Sequence, residues 1–339
     1  MNIAKTLFFL MTLLCCTTAA AQTRTASLLI EAETGRVLFS ENATEKRYPA
    51  SLTKMMTLYL AFDALEKGEA RMDQLLTVSK KAAGMPRSRM GLKENSTISL
   101  ENAIFAMISR SANDAAVVVA EGLGGSEAQF ADKMTRTARE LGMKNTRFKN
   151  ASGLHNKDQV TTAQDMAILA RALIQHFPEY YKLFSVRGFR YGRRYYGNHN
   201  LVARFYKGGD GLKTGYVDAS GYHVVGSAAR DGKRLIGVVM GRNSVRERDR
   251  HIFKLLDSGF AALKNKAKTV NTINAEPFFE PMKEQSPATS EQEYRQRRVK
   301  AEKLSESLDA VATVDTSLNM EQSGSVVKNA IIDWGRKKP

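Results

Sequence analysis

The chain has 339 residues, 43% of them hydrophobic, and a formal net charge of +16. That length allows one large domain or two, with enough apolar residues for a sizeable core. The charge would suit nucleic acid, a membrane surface or an acidic polymer, but no nucleic-acid motif is present and the basic residues form no long block.

The first 21 residues read as an export signal. Lys5 precedes an apolar run from Leu7 to Cys16, interrupted only by Thr12, and Ala19-Ala20-Ala21 stands before Gln22. A charged start, a short apolar stretch and an A-x-A site predict cleavage after Ala21 and a periplasmic product. The run is too short to span a bilayer as a helix. Both cysteines, Cys15 and Cys16, lie inside it, so the mature chain has no disulfide and its stability must come from its core. Leu13-Leu14-Cys15 before Cys16 lacks the small residue expected at a lipid-attachment site, which favours a soluble product.

Two β-rich runs about Thr34-Gly35, within 27–40, predict a hairpin. An apolar run from Leu52 to Leu65 has helical spacing and stops near Gly68. Loops and short strands are expected over 71–99, where Gly84-Met85-Pro86 and Gly91 break the pattern. Helices are expected over 100–121 and 125–141. Asn150 to His155 reads as a loop, and Thr161 or Thr162 can cap a helix reaching about Ile174. Residues 183–206, rich in Tyr, Phe and Arg, suit strands. Tyr222 to Ala229 and Arg234 to Met240 flank Asp231-Gly232 as a second hairpin, and a helix follows from about Glu247 to Leu263.

After Asn265 the character changes. Residues 266–339 hold four of the seven prolines and are nearly neutral, with 12 basic and 11 acidic residues. They predict a low-complexity, disordered or weakly helical tail. Residues 22–265 carry 38 basic and 24 acidic residues, so a charge of +14 sits on the predicted folded domain. The last segment, Val326 to Lys338, has an amphipathic pattern with a basic end. It suits weak contact with an anionic membrane surface, and at least as well a frayed terminus or a helix docking on protein.

Chemistry concentrates in three short motifs. Ser51-Leu-Thr-Lys54 opens the helical run after Pro49 and puts a hydroxyl and an amine one turn apart. Ser111-Ala-Asn113 follows about 60 residues later among small residues, and Lys213-Thr214-Gly215 about 100 residues after that, at a glycine-flanked strand start. None is informative alone. Ser325 and Lys328 repeat the first spacing, and Ser40 with Asn42 and Ser317 with Asn319 repeat the second. A lone Ser51 or Ser111 is more often a cap or turn residue, and a lone Lys213 a solvated strand residue. Order and context make the set.

Ser-x-x-Lys, Ser-x-Asn and Lys-Thr-Gly in this order resemble the signature of penicillin-binding proteins and serine β-lactamases. The words Tyr48-Pro-Ala-Ser-Leu-Thr-Lys-Met-Met-Thr57, Ser109-Arg-Ser-Ala-Asn-Asp-Ala-Ala116, Leu141-Gly-Met-Lys-Asn-Thr146, Thr162-Ala-Gln-Asp-Met-Ala167 and Asp210-Gly-Leu-Lys-Thr-Gly-Tyr-Val-Asp-Ala-Ser-Gly-Tyr222 narrow it to the D-alanyl-D-alanine carboxypeptidases. The resemblance covers about 25 to 264. It implies a mixed α/β class of the α+β kind, an antiparallel sheet flanked by helices with a helical subdomain, and a site in the cleft between them. It implies peptidoglycan stem peptides as substrate and β-lactam antibiotics as ligands, with no cofactor, metal or nucleic acid. Relatives often carry a further β-rich C-terminal domain, for which residues 266–339 are short and polar.

Roles follow from the side chains. A hydroxyl needs a base, and Lys54 serves if burial and a second cation, Lys213, keep it partly neutral. The positive end of the helix dipole favours an alkoxide at Ser51. Lys213 is better used towards the substrate carboxylate, which Thr214 also bonds. Ser111 relays the proton to the leaving amine, and Asn113 orients Lys54 and bonds a substrate amide. Gly215 lets the substrate backbone approach the strand, and the N–H groups of Ser51 and Tyr216 form the oxyanion hole. Arg246 or Arg248 adds charge for the carboxylate. Asn200 and Leu201 are candidates for lining the cleft, while His155, His199 and His223 point to nothing specific. The expected activity is a serine DD-carboxypeptidase. The rivals are a DD-endopeptidase on cross-links, a β-lactamase, for which no Glu-x-x-Leu-Asn pattern exists, and a non-catalytic wall-binding protein.

Overall fold

The structure is a computed structural model that describes residues 25–265. The predicted signal and the segment after Asn265, with its second Ser-x-x-Lys and its amphipathic end, lie outside the described residues.

The elements follow one another as β1 (Ala26–Glu31), β2 (Val37–Glu41), a 3-10 turn (Ala50–Thr53), α1 (Lys54–Glu66), β3 (Leu75–Thr77), α2 (Lys80–Ala83), β4 (Thr97–Ser99) and α3 (Leu100–Phe105). A wide π turn (Ala106–Arg110) then leads to α4 (Asn113–Gly124), α5 (Glu127–Glu140), α6 (Ala163–His176) and α7 (Pro178–Tyr181). A second 3-10 turn (Lys182–Ser185), β5 (Gly188–Tyr191), β6 (Arg194–Gly197), α8 (Leu201–Phe205), β7 (Gly209–Val217), β8 (Gly221–Arg230), β9 (Lys233–Arg242) and α9 (Val245–Lys264) complete the order.

Among the described residues the main sheet has five strands in the order β2-β1-β9-β8-β7, each neighbouring pair antiparallel. Leu29, Val224, Leu235 and Val239 pack under Ile252 and Leu256 of α9 on one face. Leu28, Ile30, Val225, Ile236 and Val238 join the larger core of α1, α3, α4, α5 and α6 on the other. Helices on both faces explain why β8 and β9 read as continuous apolar runs rather than alternating ones. α1 is buried from Lys54 to Leu65, which its all-round apolar sequence requires of a central helix. The result is the expected α+β architecture, an antiparallel sheet with helices and a helical subdomain. No helix among the described residues is long and apolar enough to cross a membrane.

Both predicted hairpins form. The expected helix over 100–121 instead breaks. Ser111 has φ 59° in the left-handed region, Ala112 is extended, and α4 starts afresh at Asn113 and runs past Gly122 to Gly124. Within 183–206, strands form over only part of the stretch. Asn200 caps Val202 N–H at 3.0 Å and starts α8, a helix where strand was expected.

Candidate active site

The site lies where the edge strand β7, the turn before α1 and the break at Ser111 meet. Ser51 sits in the 3-10 turn, partly exposed, and Lys54 opens α1 beneath it, fully buried. Lys54 Nζ contacts Ser51 Oγ at 3.2 Å, Asn113 Oδ1 at 2.8 Å and the Ser152 carbonyl at 2.5 Å. A neutral amine has two hydrogens and one lone pair. Asn113 and Ser152 are acceptors that take both hydrogens, which leaves the lone pair for the Ser51 hydroxyl hydrogen. Burial, and then the charge of Lys213, holds Lys54 well below its ordinary value, with Asp114 opposing. Burial is the larger cause and Lys213 the second.

Lys213 is itself buried, and its Nζ donates to the Thr214 carbonyl at 3.0 Å. Burial, followed by Arg248, brings it down to about 7, so near neutrality it is charged only in part. An arriving carboxylate would restore that charge. Arg248 pairs with Asp249 through two hydrogen bonds of 2.9 Å and acts on Lys213, whereas Arg246 is exposed. Thr214 is buried beside Lys213 on β7, and Tyr216 is 50% exposed two residues further on.

A Cβ at Gly215 would stand 3.2 Å from Ser51 N and 3.4 Å from Leu52 N. Glycine there lets the β7 backbone run beside the Ser51 amide, the arrangement an oxyanion hole between the Ser51 and Tyr216 amides needs.

Ser111 Oγ, two residues from Asn113, is buried without a hydrogen-bond partner among the described residues, and it does not bond Lys54. A buried hydroxyl left unpaired is a place where a bound group can complete the hydrogen bonding. The Ser111 turn is held by the 86–92 loop. Asn113 Nδ2 donates to the Pro86 carbonyl at 3.0 Å, Asn113 N–H to Ser88 O at 2.7 Å, and Ser88 Oγ to Arg110 O at 2.9 Å. Asp114 accepts the N–H groups of Met90, Gly91 and Leu92 at 2.8 to 3.2 Å. Neither Asp114 nor the 86–92 loop was singled out from sequence, although an Asp directly after the Ser-x-Asn word was a usable signal.

The 150–155 loop shows no chemical role in the sequence. Thr57 Oγ1 donates to the Ala151 carbonyl at 2.7 Å, and Glu127 Oε1 accepts Ala151 N–H at 3.0 Å. Gly153, at φ 84°, lies so close that a Cβ on it would stand 1.9 Å from the Ala50 carbonyl oxygen. The loop therefore supplies an acceptor to Lys54 and buttresses the residue before Ser51. Asn200 is buried as the cap of α8, and Leu201 is half-buried. His155 packs edge-on against Tyr48 at 4.6 Å. His199 accepts from Arg110 at 3.2 Å, and His223 is wholly buried.

Comparison with known proteins places the chain in a family. Residues 16–244 match the family model described as D-alanyl-D-alanine carboxypeptidase. The chain is 35% identical over 254 residues to D-alanyl-D-alanine carboxypeptidase DacF of Bacillus subtilis. That match covers 72% of this chain and 64% of the relative, so the chain spans less than two thirds of that relative's length. Penicillin-binding protein 5 of Haemophilus influenzae superposes with a TM-score of 0.68 at 34% identity, over 70% of this chain and 71% of that one. The cefotaxime-bound form of penicillin-binding protein D2 from Listeria monocytogenes gives 0.64 at 32%, over 69% and 96%. A hydroxyl on a buried lysine, an asparagine sharing that lysine and a Lys-Thr-Gly edge strand thus occur on a chain whose sequence and fold agree, and the chain belongs to the D-alanyl-D-alanine carboxypeptidase family.

Proposed function

We propose that the protein is a serine DD-carboxypeptidase that removes the terminal D-alanine from peptidoglycan stem peptides. Ser51 Oγ attacks the carbonyl of the penultimate D-alanine as Lys54 takes its proton. The amide N–H groups of Ser51 and Tyr216 hold the oxyanion. The proton passes by way of Ser111 to the leaving amine, and free D-alanine departs. Water, deprotonated by Lys54, then hydrolyses the ester on Ser51. Lys213 and Thr214 hold the substrate's terminal carboxylate, Arg248 adds charge behind them, and Asn113 orients Lys54 and bonds a substrate amide. A β-lactam presents a similar carbonyl and carboxylate and acylates the same serine.

The observation that carries this reading is the Lys54 amine, buried and shared among Ser51 Oγ at 3.2 Å, Asn113 Oδ1 at 2.8 Å and Ser152 O at 2.5 Å. A non-catalytic wall-binding protein has no use for two buried lysines that, among the described residues, form no carboxylate ion pair. We further propose that residues 22–265 form the catalytic domain, reaching the periplasm after removal of residues 1–21.

Labelled penicillin tests the reading. Slow release from a Ser51 adduct, absent in Ser51→Ala, is the expected result. Rapid turnover would show a β-lactamase, and no adduct on the wild-type protein would sink the enzyme reading. Release of D-alanine from a pentapeptide, with a cross-linked dimer left intact, separates carboxypeptidase from endopeptidase.

A further inference from the structure

Beyond the reacting atoms, β7 ends in a corner that the mechanism leaves unused. Thr214 and Tyr216 alternate onto one face of the strand, and Asp218 continues that spacing just past its end. Tyr216 pairs across the sheet with Tyr222, and their rings lie 4.3 Å apart at 33°. Tyr216 Oη donates to Asp218 Oδ1 at 2.5 Å. Among the described residues Asp218 has no cationic partner, although it belongs to a segment with a net charge of +14. The corner is anchored to the segment that leads into the nucleophile's turn. Ser220 Oγ accepts Tyr48 N–H at 3.1 Å, and His223 Nε2 donates to the Tyr48 carbonyl at 3.1 Å.

Resting on the proposed carboxypeptidase reading, we infer that Tyr216 and Asp218 form a subsite for a cationic side chain, the free amine carried by the peptide residue that precedes the two D-alanines. The direction of the substrate follows from the site. Its carboxylate lies at Lys213 and Thr214 and its reacting carbonyl at the Tyr216 amide, so the peptide runs antiparallel to β7 and its preceding residue reaches the Asp218 end. Four residues of strand separate Thr214 from Asp218 by about 13 Å. An extended peptide covers about 7 Å from its terminal carboxylate to the third residue. A flexible amine-bearing stem closes the remainder, its methylenes lying along the exposed Tyr216 ring and its ammonium meeting the carboxylate. The cleft would then read charge at both ends: cations for the terminal carboxylate, an anion for the amine.

The test compares Nα-acetyl-lysyl-D-alanyl-D-alanine with the same peptide acetylated also at Nε. Both are scored by kcat/KM for D-alanine release and as competitors of labelled penicillin, so the comparison does not depend on turnover alone. The wild-type protein is expected to favour the free amine by roughly two- to five-fold, as one solvent-facing ion pair allows. The preference should shrink as salt is raised. Asp218→Asn should bring the ratio to about one, and Asp218→Lys below one. Equal use of the two peptides by the wild-type protein, or a preference that survives in Asp218→Asn, overturns the subsite. The penicillin adduct on Ser51 is a separate readout. If it forms while the peptides compete equally, the subsite alone fails; if it does not form, the catalytic reading fails.

Discussion

At the scale of single residues, two buried lysines must be in opposite states for the site to work. Lys54 acts as a base when neutral, and its burial beside Lys213 already keeps it well below its ordinary value. Lys213 binds a carboxylate when charged, and its own value of about 7 means that it loses charge as pH rises through neutrality. The free-enzyme profile of kcat/KM should therefore be bell-shaped, its acid limb from Lys54 and its basic limb from Lys213. An arginine cannot deprotonate in this range. Lys213→Arg should move the basic limb upward, at some cost in maximal rate because the guanidinium fits differently. A basic limb that stays in place would assign it to another group. Lys54→Ala should lower acylation by penicillin by about 100-fold or more, since the general base is gone.

Whole elements act on the site through their backbones. The 150–155 loop reaches Lys54 with a carbonyl and wedges Gly153 under Ala50. Gly153→Ala meets both a left-handed φ and a 1.9 Å clash with backbone, so neither neighbour can yield cheaply. It should cost about 2 kcal/mol or more of stability and displace Ser51, read as a lower melting temperature together with slower penicillin acylation. Asp114 acts likewise on the other side, with three loop N–H groups on one carboxylate. Asp114→Ala leaves those donors unpaired and should cost about 2 to 4 kcal/mol in chemical denaturation. The three motifs, both hairpins and α1 are legible because their signals are local: a proline before the serine, turn glycines, apolar periodicity. The break at Ser111 is not, because apolar residues keep helical spacing on both sides and neither glycine nor proline marks it. Ser111 holds its positive φ through bonds from the distant 86–92 loop. The role of Ser152 is hidden for the same reason, since any residue supplies a carbonyl. α8 does carry a local signal, the Asn200 cap, which the Tyr, Phe and Arg residues around it outweigh.

For the molecule as a whole, His223 links the sheet to the site and makes stability depend on pH. It is wholly buried on β8. Its Nδ1 accepts Gly241 N–H at 3.0 Å, which places the ring hydrogen on Nε2, facing the Tyr48 carbonyl at 3.1 Å. One neutral ring thus ties β9 to the residue before Pro49. Burial is the main cause that pushes it down to about 4 from 6.5, against which its backbone bonds act. The unfolded chain therefore takes up a proton on this histidine before the folded protein does. The stability it confers is complete above pH 6.5 and is lost as pH falls towards about 4. At most about 3 kcal/mol is at stake, the free-energy equivalent of that shift. Asp165 and Asp249 are raised, mainly by burial, and work in the opposite sense, since protonation favours their folded forms. The informative quantity is therefore the difference between two pH profiles. His223→Asn removes the titration while keeping a donor and an acceptor. Its unfolding free energy should be lower than wild type at pH 7, and the gap should narrow steadily towards pH 4.5. If the same protonation loosens Tyr48, penicillin acylation of the wild type should fall over that interval more steeply than that of the variant. Parallel stability profiles for the two proteins would show that His223 stays neutral for reasons unconnected with the fold's acid sensitivity.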